Sequence, residues 1–278
     1  MQPNKIHVKN LITRSLSGIV FIGLIIGSIL LGQQIFAALM LIFSIIGLTE
    51  YQRMTQKWIG NPGDIQIILL NGLIVFGLLS AVILEFIPSK YLVLLILPVL
   101  ISMIHTLFSK LESPVQQMSI LMAGVLYISL PFALFASFFT LNPQMAFSNE
   151  LVIAFFIMVW SNDVFAYVVG SLIGKHKLYE KVSPKKTWEG SLGGVILTIV
   201  AAYIISIFFK TYDMQTWLVL GLIISIFASL GDLIESMIKR QVGVKDSGNI
   251  MPGHGGVLDR FDGVIFAIPA VYIYLSLV

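Results

Sequence analysis

Apolar residues run through this chain in long blocks separated by short polar breaks. The stretch 15–49 carries no charged residue at all. A helix needs ~20 mostly apolar residues to cross a bilayer. On that rule the pattern predicts nine spans, at about 12–31, 35–52, 65–86, 91–109, 117–141, 150–173, 190–209, 215–238 and 261–278. Gly32-Gln33-Gln34 separates the first two. The predicted fold class is all-α: a polytopic membrane protein of about nine transmembrane helices with a cytoplasmic N-terminus. Few polar residues interrupt the spans before about residue 115, so 1–115 is assigned to an N-terminal transmembrane scaffold. Residues 116–278 form a catalytic transmembrane region with polar connections at 174–189 and 239–260.

Composition excludes a soluble domain. The chain is 57% hydrophobic and 11% charged, with a mean hydropathy of +0.94, where soluble domains carry about 25% charge. With no cysteine, disulfides, thiolate metal sites and cysteine nucleophiles are ruled out. The short polar start before Arg14 leads into a long apolar run rather than the short core of a cleaved signal peptide, so retained helices are expected and no soluble domain at either end.

The net charge is only +3, but its distribution is informative. Alternating from a cytoplasmic N-terminus puts every Lys and Arg except Lys90 and Lys210 on the cytoplasmic face, the bias expected because positive loops resist translocation. Both long polar connections then lie on that face, where a water-soluble cytoplasmic molecule is met. The pairs Gly23/Gly27, Gly170/Gly174 and Gly190/Gly194 have the small-xxx-small spacing that lets helices approach closely. Internal packing is the preferred account over a dimer contact.

Polar residues inside the spans carry the candidate chemistry. Asp163 sits mid-span, where a carboxylate costs ~2.5–3.5 kcal/mol on insertion scales and should face a polar cavity or a partner. Tyr167 lies one turn along the same face. In the following connection Ser183, Lys185, Lys186, Thr187, Trp188 and Glu189 abut the next helix with hydroxyls, paired cations, an indole and a carboxylate, parts suited to gripping phosphate. A solvated loop near anionic lipid accounts adequately for Lys175 and Lys177. Asp232 follows seventeen uncharged residues after Met214 and shares a helix face with Glu235 or Ser236 and with Lys239. The stretch 236–262 adds Arg240, Lys245, Asp246, His254, Gly255, Gly256, Asp259, Arg260 and Asp262.

Asp232, Asp259 and Asp262 offer only oxygen, which selects Mg²⁺ or a similar hard cation. Lys239, Arg240, Lys245 and Arg260 supply charge for phosphates, and the glycines allow close backbone approach. Neither a G-x-x-x-x-G-K-[ST] loop nor a G-x-G-x-x-G run occurs, so the usual nucleotide loops have no support. No role for His254 follows from the residues. His105 is expected to be a satisfied structural histidine, and His7 and His176 carry no signal.

The stretch Ser236, Ile238, Lys239-Arg240, Lys245-Asp246, Pro252, His254-Gly255-Gly256 and Asp259-Arg260-Phe261-Asp262 resembles, without departure, the signature of the CDP-diacylglycerol synthases, or phosphatidate cytidylyltransferases. Asn162-Asp163 with Ala166-Tyr167 and Gly170, the run Ser183–Gly190, and Gly231-Asp232 with Glu235-Ser236 are similar to that family's upstream motifs. The resemblance covers about residues 155–265. It implies Mg²⁺-dependent transfer of CMP from CTP to phosphatidate with release of pyrophosphate, in a polytopic membrane enzyme, often dimeric. Paired aspartates bind the metal there, by position Asp232 and Asp259 with Asp262 close by. Asp163 is then expected to shape the same cavity or to bind a second cation.

The expected partners are CTP, phosphatidate and membrane lipid, with a homodimer and no nucleic acid. The expected location is the inner (cell) membrane of a bacterium, with the active site facing the cytoplasm. Two rival readings are CTP chemistry on another lipid acceptor, separable by lipid competition, and a transporter lined by Asp163 and Asp232. The absence of a convincing internal repeat weighs against the transporter.

Overall fold

The computed structural model describes residues 3–59, 64–109, 113–142, 144–145, 147–253 and 255–278; for 3–14 and 57–59 it describes the backbone alone. The chain is built almost entirely of helices: α1 Pro3–Leu31, α2 Gln33–Ile59, α3 Asp64–Ile83, α4 Leu97–Phe108, α5 Pro114–Gly124, α6 Leu130–Phe135, α7 Glu150–Ile173, α8 Trp188–Phe208, α9 Met214–Gln241 and α10 Leu258–Leu277. Among the described residues, eight helical stretches are long and apolar enough to cross a membrane, joined by the shorter apolar stretch Ser15–Leu31. These nine coincide with the nine predicted spans to within a few residues, because each apolar block must satisfy its backbone hydrogen bonds internally in lipid.

Departures from the prediction are local. The fourth span opens with a 3₁₀ segment, Ser89–Ile96, before α4. The fifth is not one helix: α5 widens into a π-helical turn at Val125–Ser129, continues as α6 and ends in 3₁₀ turns at Ala136–Phe139. Pro131 explains the widening, since it lacks the N–H that would bond back one turn and its ring crowds that carbonyl. Gly32, at φ 109°, separates α1 from α2 by taking a conformation other residues avoid. The 174–189 connection, expected as a loop, contains a hairpin of β1 Lys177–Tyr179 and β2 Ser183–Thr187, with Lys177 opposite Thr187 and Tyr179 opposite Ser183. The 239–260 connection is shorter than expected, because α9 continues to Gln241 and α10 starts at Leu258.

The chain groups into two compact units. The first comprises Met1–Ala133 and Val242–Phe261, the second Leu134–Gln241 and Asp262–Val278. The expected division of roles at 115/116 is a separate matter and stays an expectation.

In the first unit α2, α3, α4 and α5 pack in succession. A Cβ at Gly72 would meet Leu48 at 2.2 Å, and one at Gly124 would meet Tyr51 at 2.8 Å. Buried polar pairs tie these helices together. Asp64 accepts from Gln117 Nε2 at 2.5 Å and lies 2.9 Å from His105 Nε2, and Asn71 donates to Ser102 at 2.8 Å. His105 is therefore the satisfied structural residue expected. Phe21, Phe43 and Phe132 surround Phe261, with ring centroids 5.0–5.5 Å from it.

In the second unit α7, α8 and α9 pack closely through small residues. A Cβ on Gly190 would sit 2.7 Å from the Ala166 carbonyl oxygen and 3.0 Å from Gly170 Cα. Gly170, Gly174, Gly190 and Gly194 thus serve internal packing, as preferred. Gly23 and Gly27 do not, having nothing among the described residues within 4 Å of an added Cβ.

Candidate functional site

Three helices and the hairpin of the second unit build a pocket of about 320 Å³. From α7 come Asn162, Asp163, Tyr167 and Ser171; from β2, Lys185, Lys186 and Thr187; from α8, Ser191; and from α9, Ser229 and Asp232. Seven of these were named from the sequence: Asn162, Asp163, Tyr167, Lys185, Lys186, Thr187 and Asp232. Beside the pocket α7 and α8 approach closely at glycine and alanine.

Asp232 sits at the pocket with both oxygens engaged. Lys186 Nζ lies 2.5 Å from Oδ2, and Ser236 Oγ, one turn on, donates to Oδ1 at 3.2 Å. Lys186 also reaches the Ser229 carbonyl at 3.5 Å. Asn162 is almost fully buried and donates to Ser229 Oγ at 3.1 Å. Along α9, Lys239 is buried against Glu235 as an i,i+4 ion pair. Asp262, half-buried in the first turn of α10, feels the charges of Asp232, Glu235 and Asp163. Arg240 is exposed.

The hairpin gives some predicted residues holding roles. Thr187 is the N-cap of α8, accepting from Gly190 N at 3.2 Å. Glu189 reaches back across the hairpin base. Its Oε2 accepts from the backbone N–H groups of Lys175 and His176 at 3.1 and 3.2 Å, and its Oε1 lies 2.6 Å from His176 Nδ1. His176, passed over in the sequence, is thus part of the clamp. Ser183 lies in β2 and Trp188 is exposed at the start of α8, and neither lines the pocket.

In the first unit Asp259 gathers its own set of donors. Asp259 Oδ2 accepts from Ser247 N at 2.8 Å, Ser247 Oγ at 2.9 Å and Gly256 N at 2.7 Å. Gly255 has φ 85°, and a Cβ there would sit 2.6 Å from that same Oδ2. Lys245, Asp246 and Arg260 are exposed. His254 lies outside the described residues. Sequence reasoning missed Glu50, a buried carboxylate of α2 that accepts from Val257 N and Leu258 N, each at 3.0 Å. Its only sequence signal is one charge at the end of a long uncharged run, which resembles an ordinary solvated helix end.

The donor chemistry around Asp232 fits a hard cation, since every candidate ligand is a carboxylate oxygen. Among the described residues no group of three or more His, Cys, Asp and Glu side chains is arranged to hold a metal by itself. One or two carboxylates with the rest of the shell supplied by substrate phosphates is the usual way Mg²⁺ is bound, and the pocket matches that type rather than a closed protein cage.

A family model described as "Cytidylyltransferase family" matches residues 12–278. The chain is 33% identical over 272 residues to a phosphatidate cytidylyltransferase of Staphylococcus haemolyticus, covering 94% of this chain and 98% of that protein. It is also 33% identical over 281 residues to one of Bacillus subtilis, covering 97% of each. Over a shorter 122-residue stretch, 43% of this chain and 46% of the other, identity to a phosphatidate cytidylyltransferase of Staphylococcus aureus reaches 48%.

Proposed function

The chain belongs to the cytidylyltransferase family, and from that premise we propose that it transfers CMP from CTP to phosphatidate, giving CDP-diacylglycerol and pyrophosphate. The pocket that brings Lys185 and Lys186 together with Asp163 and Asp232 in an apolar helical unit is the observation that carries this reading for the residues. Phosphatidate brings its own anionic nucleophile, so no strong general base is required. The obstacle is electrostatic: two multiply charged phosphates must meet and pyrophosphate must leave, so positioned cations supply most of the catalysis.

In this proposal Lys185 and Lys186 bind phosphate oxygens. Lys186 exchanges its contact with Asp232 for one with substrate, so the pocket is neutralised both before and after binding. Thr187 and Glu189 hold the hairpin that presents these lysines. Lys239, Arg240, Lys245 and Arg260 neutralise further phosphate charge. Asp232 and Asp262 would hold Mg²⁺, with Asp259 in the metal role that the resemblance implies; Asp163 shapes the cavity or holds a second cation. Bound there, Mg²⁺ would neutralise charge on the reacting phosphates.

Further parts of the proposal are a homodimer in the cell membrane of a bacterium and an active site facing the cytoplasm, where CTP is. The test is an assay of purified chain in detergent with CTP and phosphatidate, with and without Mg²⁺, following CDP-lipid and pyrophosphate together. Wild-type chain is expected to form both and to stop on chelation. Asp232→Asn is expected to lose ~100-fold or more. Near-full transfer by that variant at saturating Mg²⁺ would sink the assignment of Asp232.

A further inference from the structure

We propose that Glu50 is a positioning residue for CMP transfer: a carboxylate within α2 that caps the start of α10 from outside and is joined there to Ser247. Glu50 is 5% exposed. Its Oε1 accepts from Val257 N at 3.0 Å, while its Oε2 accepts from Leu258 N at 3.0 Å and faces Ser247 Oγ at 3.2 Å. Val257 and Leu258 stand at the start of α10, where backbone N–H groups have no partner within the helix and the helix dipole favours an anion. Glu50 thus satisfies two of the N–H groups at that helix start from a helix some two hundred positions away.

Ser247 links this carboxylate to a second one. Its hydroxyl lies 2.9 Å from Asp259 Oδ2 and its N–H donates to the same oxygen at 2.8 Å. Glu50, Ser247 and Asp259 therefore form one chain of contacts, and displacing Glu50 displaces the turn that carries Asp259 and Arg260. The loop glycines are shaped around it. A Cβ at Gly248 would lie 2.5 Å from Glu50 Oε1, and one at Gly256 would lie 2.5 Å from Oε2. On α1, Ser17 Oγ adds a bond to the Pro252 carbonyl at 3.1 Å. A carboxylate kept buried within a membrane helix is costly unless its donors need it. A glutamine in its place offers one acceptor oxygen where three donors converge.

This inference rests on CMP transfer being the reaction, and it gives α2 of the presumed scaffold a share in the chemistry. The test compares wild-type chain with Glu50→Gln and Gly248→Ala, assayed for CTP- and phosphatidate-dependent CDP-lipid formation per folded molecule, with amide exchange measured at 247–258. Glu50→Gln is expected to lower kcat at least ~10-fold, to change both KM values less, and to speed exchange at Val257 and Leu258 while leaving α3–α5 protected. Gly248→Ala, which pushes on the carboxylate from the loop, is expected to do the same more weakly. Glu50→Asp added to Gly248→Ala is expected to recover part of the loss by making room for the methyl. Should Glu50→Gln fail to fold, the two Gly248 variants decide. An active wild type matched by Glu50→Gln, or by Gly248→Ala where only that variant folds, would overturn the role of Glu50 and leave the family reaction intact. So would an activity loss that only tracks loss of folded protein.

Discussion

Asp232 is held by two donors of different kinds, an ammonium at 2.5 Å and a hydroxyl at 3.2 Å. The ammonium is the one suited to leave for a phosphate, because lysine is a compact charge on a flexible stem. Lys186→Met is therefore expected to lower kcat/KM for CTP by ~100-fold, whereas Ser236→Ala changes it far less; steady-state kinetics at fixed phosphatidate checks both. Single residues also mark what the sequence could show. Asp163 and Asp232 were legible because a carboxylate in an apolar run has few innocent explanations. Glu50 was not, since its partners lie 197 to 208 positions away. The pairing of His105 with Asp64 shows the opposite case, in which the bland account of a histidine is the one the structure supports.

At the scale of elements, α7, α8 and α9 are joined by absence of side chain rather than by interlocking of large ones. Without a hydrophobic driving force between helices in lipid, close approach and packing hold them together. A Cβ at Gly194 would meet Asn162 Oδ1 at 2.9 Å and Ala166 Cβ at 3.0 Å. Gly194→Val is thus expected to reduce the yield of folded protein and its melting temperature in detergent. Gly77→Ala, with nothing within 4 Å of the new carbon, is expected to stay within ~0.5 kcal/mol of the parent; thermal unfolding of both in the same detergent is the measurement. The spacing of these glycines was readable, and so was the preference for internal packing, but it failed for Gly23 and Gly27. Spacing says two helices can approach, not that a second helix is there. The hairpin at 177–187 was missed because its strands are three and five residues long and lysine-rich. Its pairing depends on the Glu189 clamp rather than on strand propensity.

For the whole molecule, sidedness is the prediction that matters most, since the proposed reaction draws CTP from the cytoplasm. The chain contains no cysteine, so single cysteines can be introduced without background. Lys177→Cys is expected to react with a membrane-impermeant maleimide only from the cytoplasmic side, and Lys90→Cys only from the opposite one; labelling of intact cells against inverted vesicles reads the difference, and the reverse pattern would invert the topology. The order of the eight long apolar helices and of the shorter stretch Ser15–Leu31, among the described residues, was determined by sequence alone, and so was the family resemblance over 155–265. Burying backbone in lipid forces each apolar block of sufficient length into a helix, whatever surrounds it. What only the tertiary structure decided is which polar groups meet. Lys186 faces Asp232, Glu189 closes the hairpin, and Glu50 caps α10. These pairings depend on helix rotation and on contacts across long stretches of chain, and hydropathy carries no information about either.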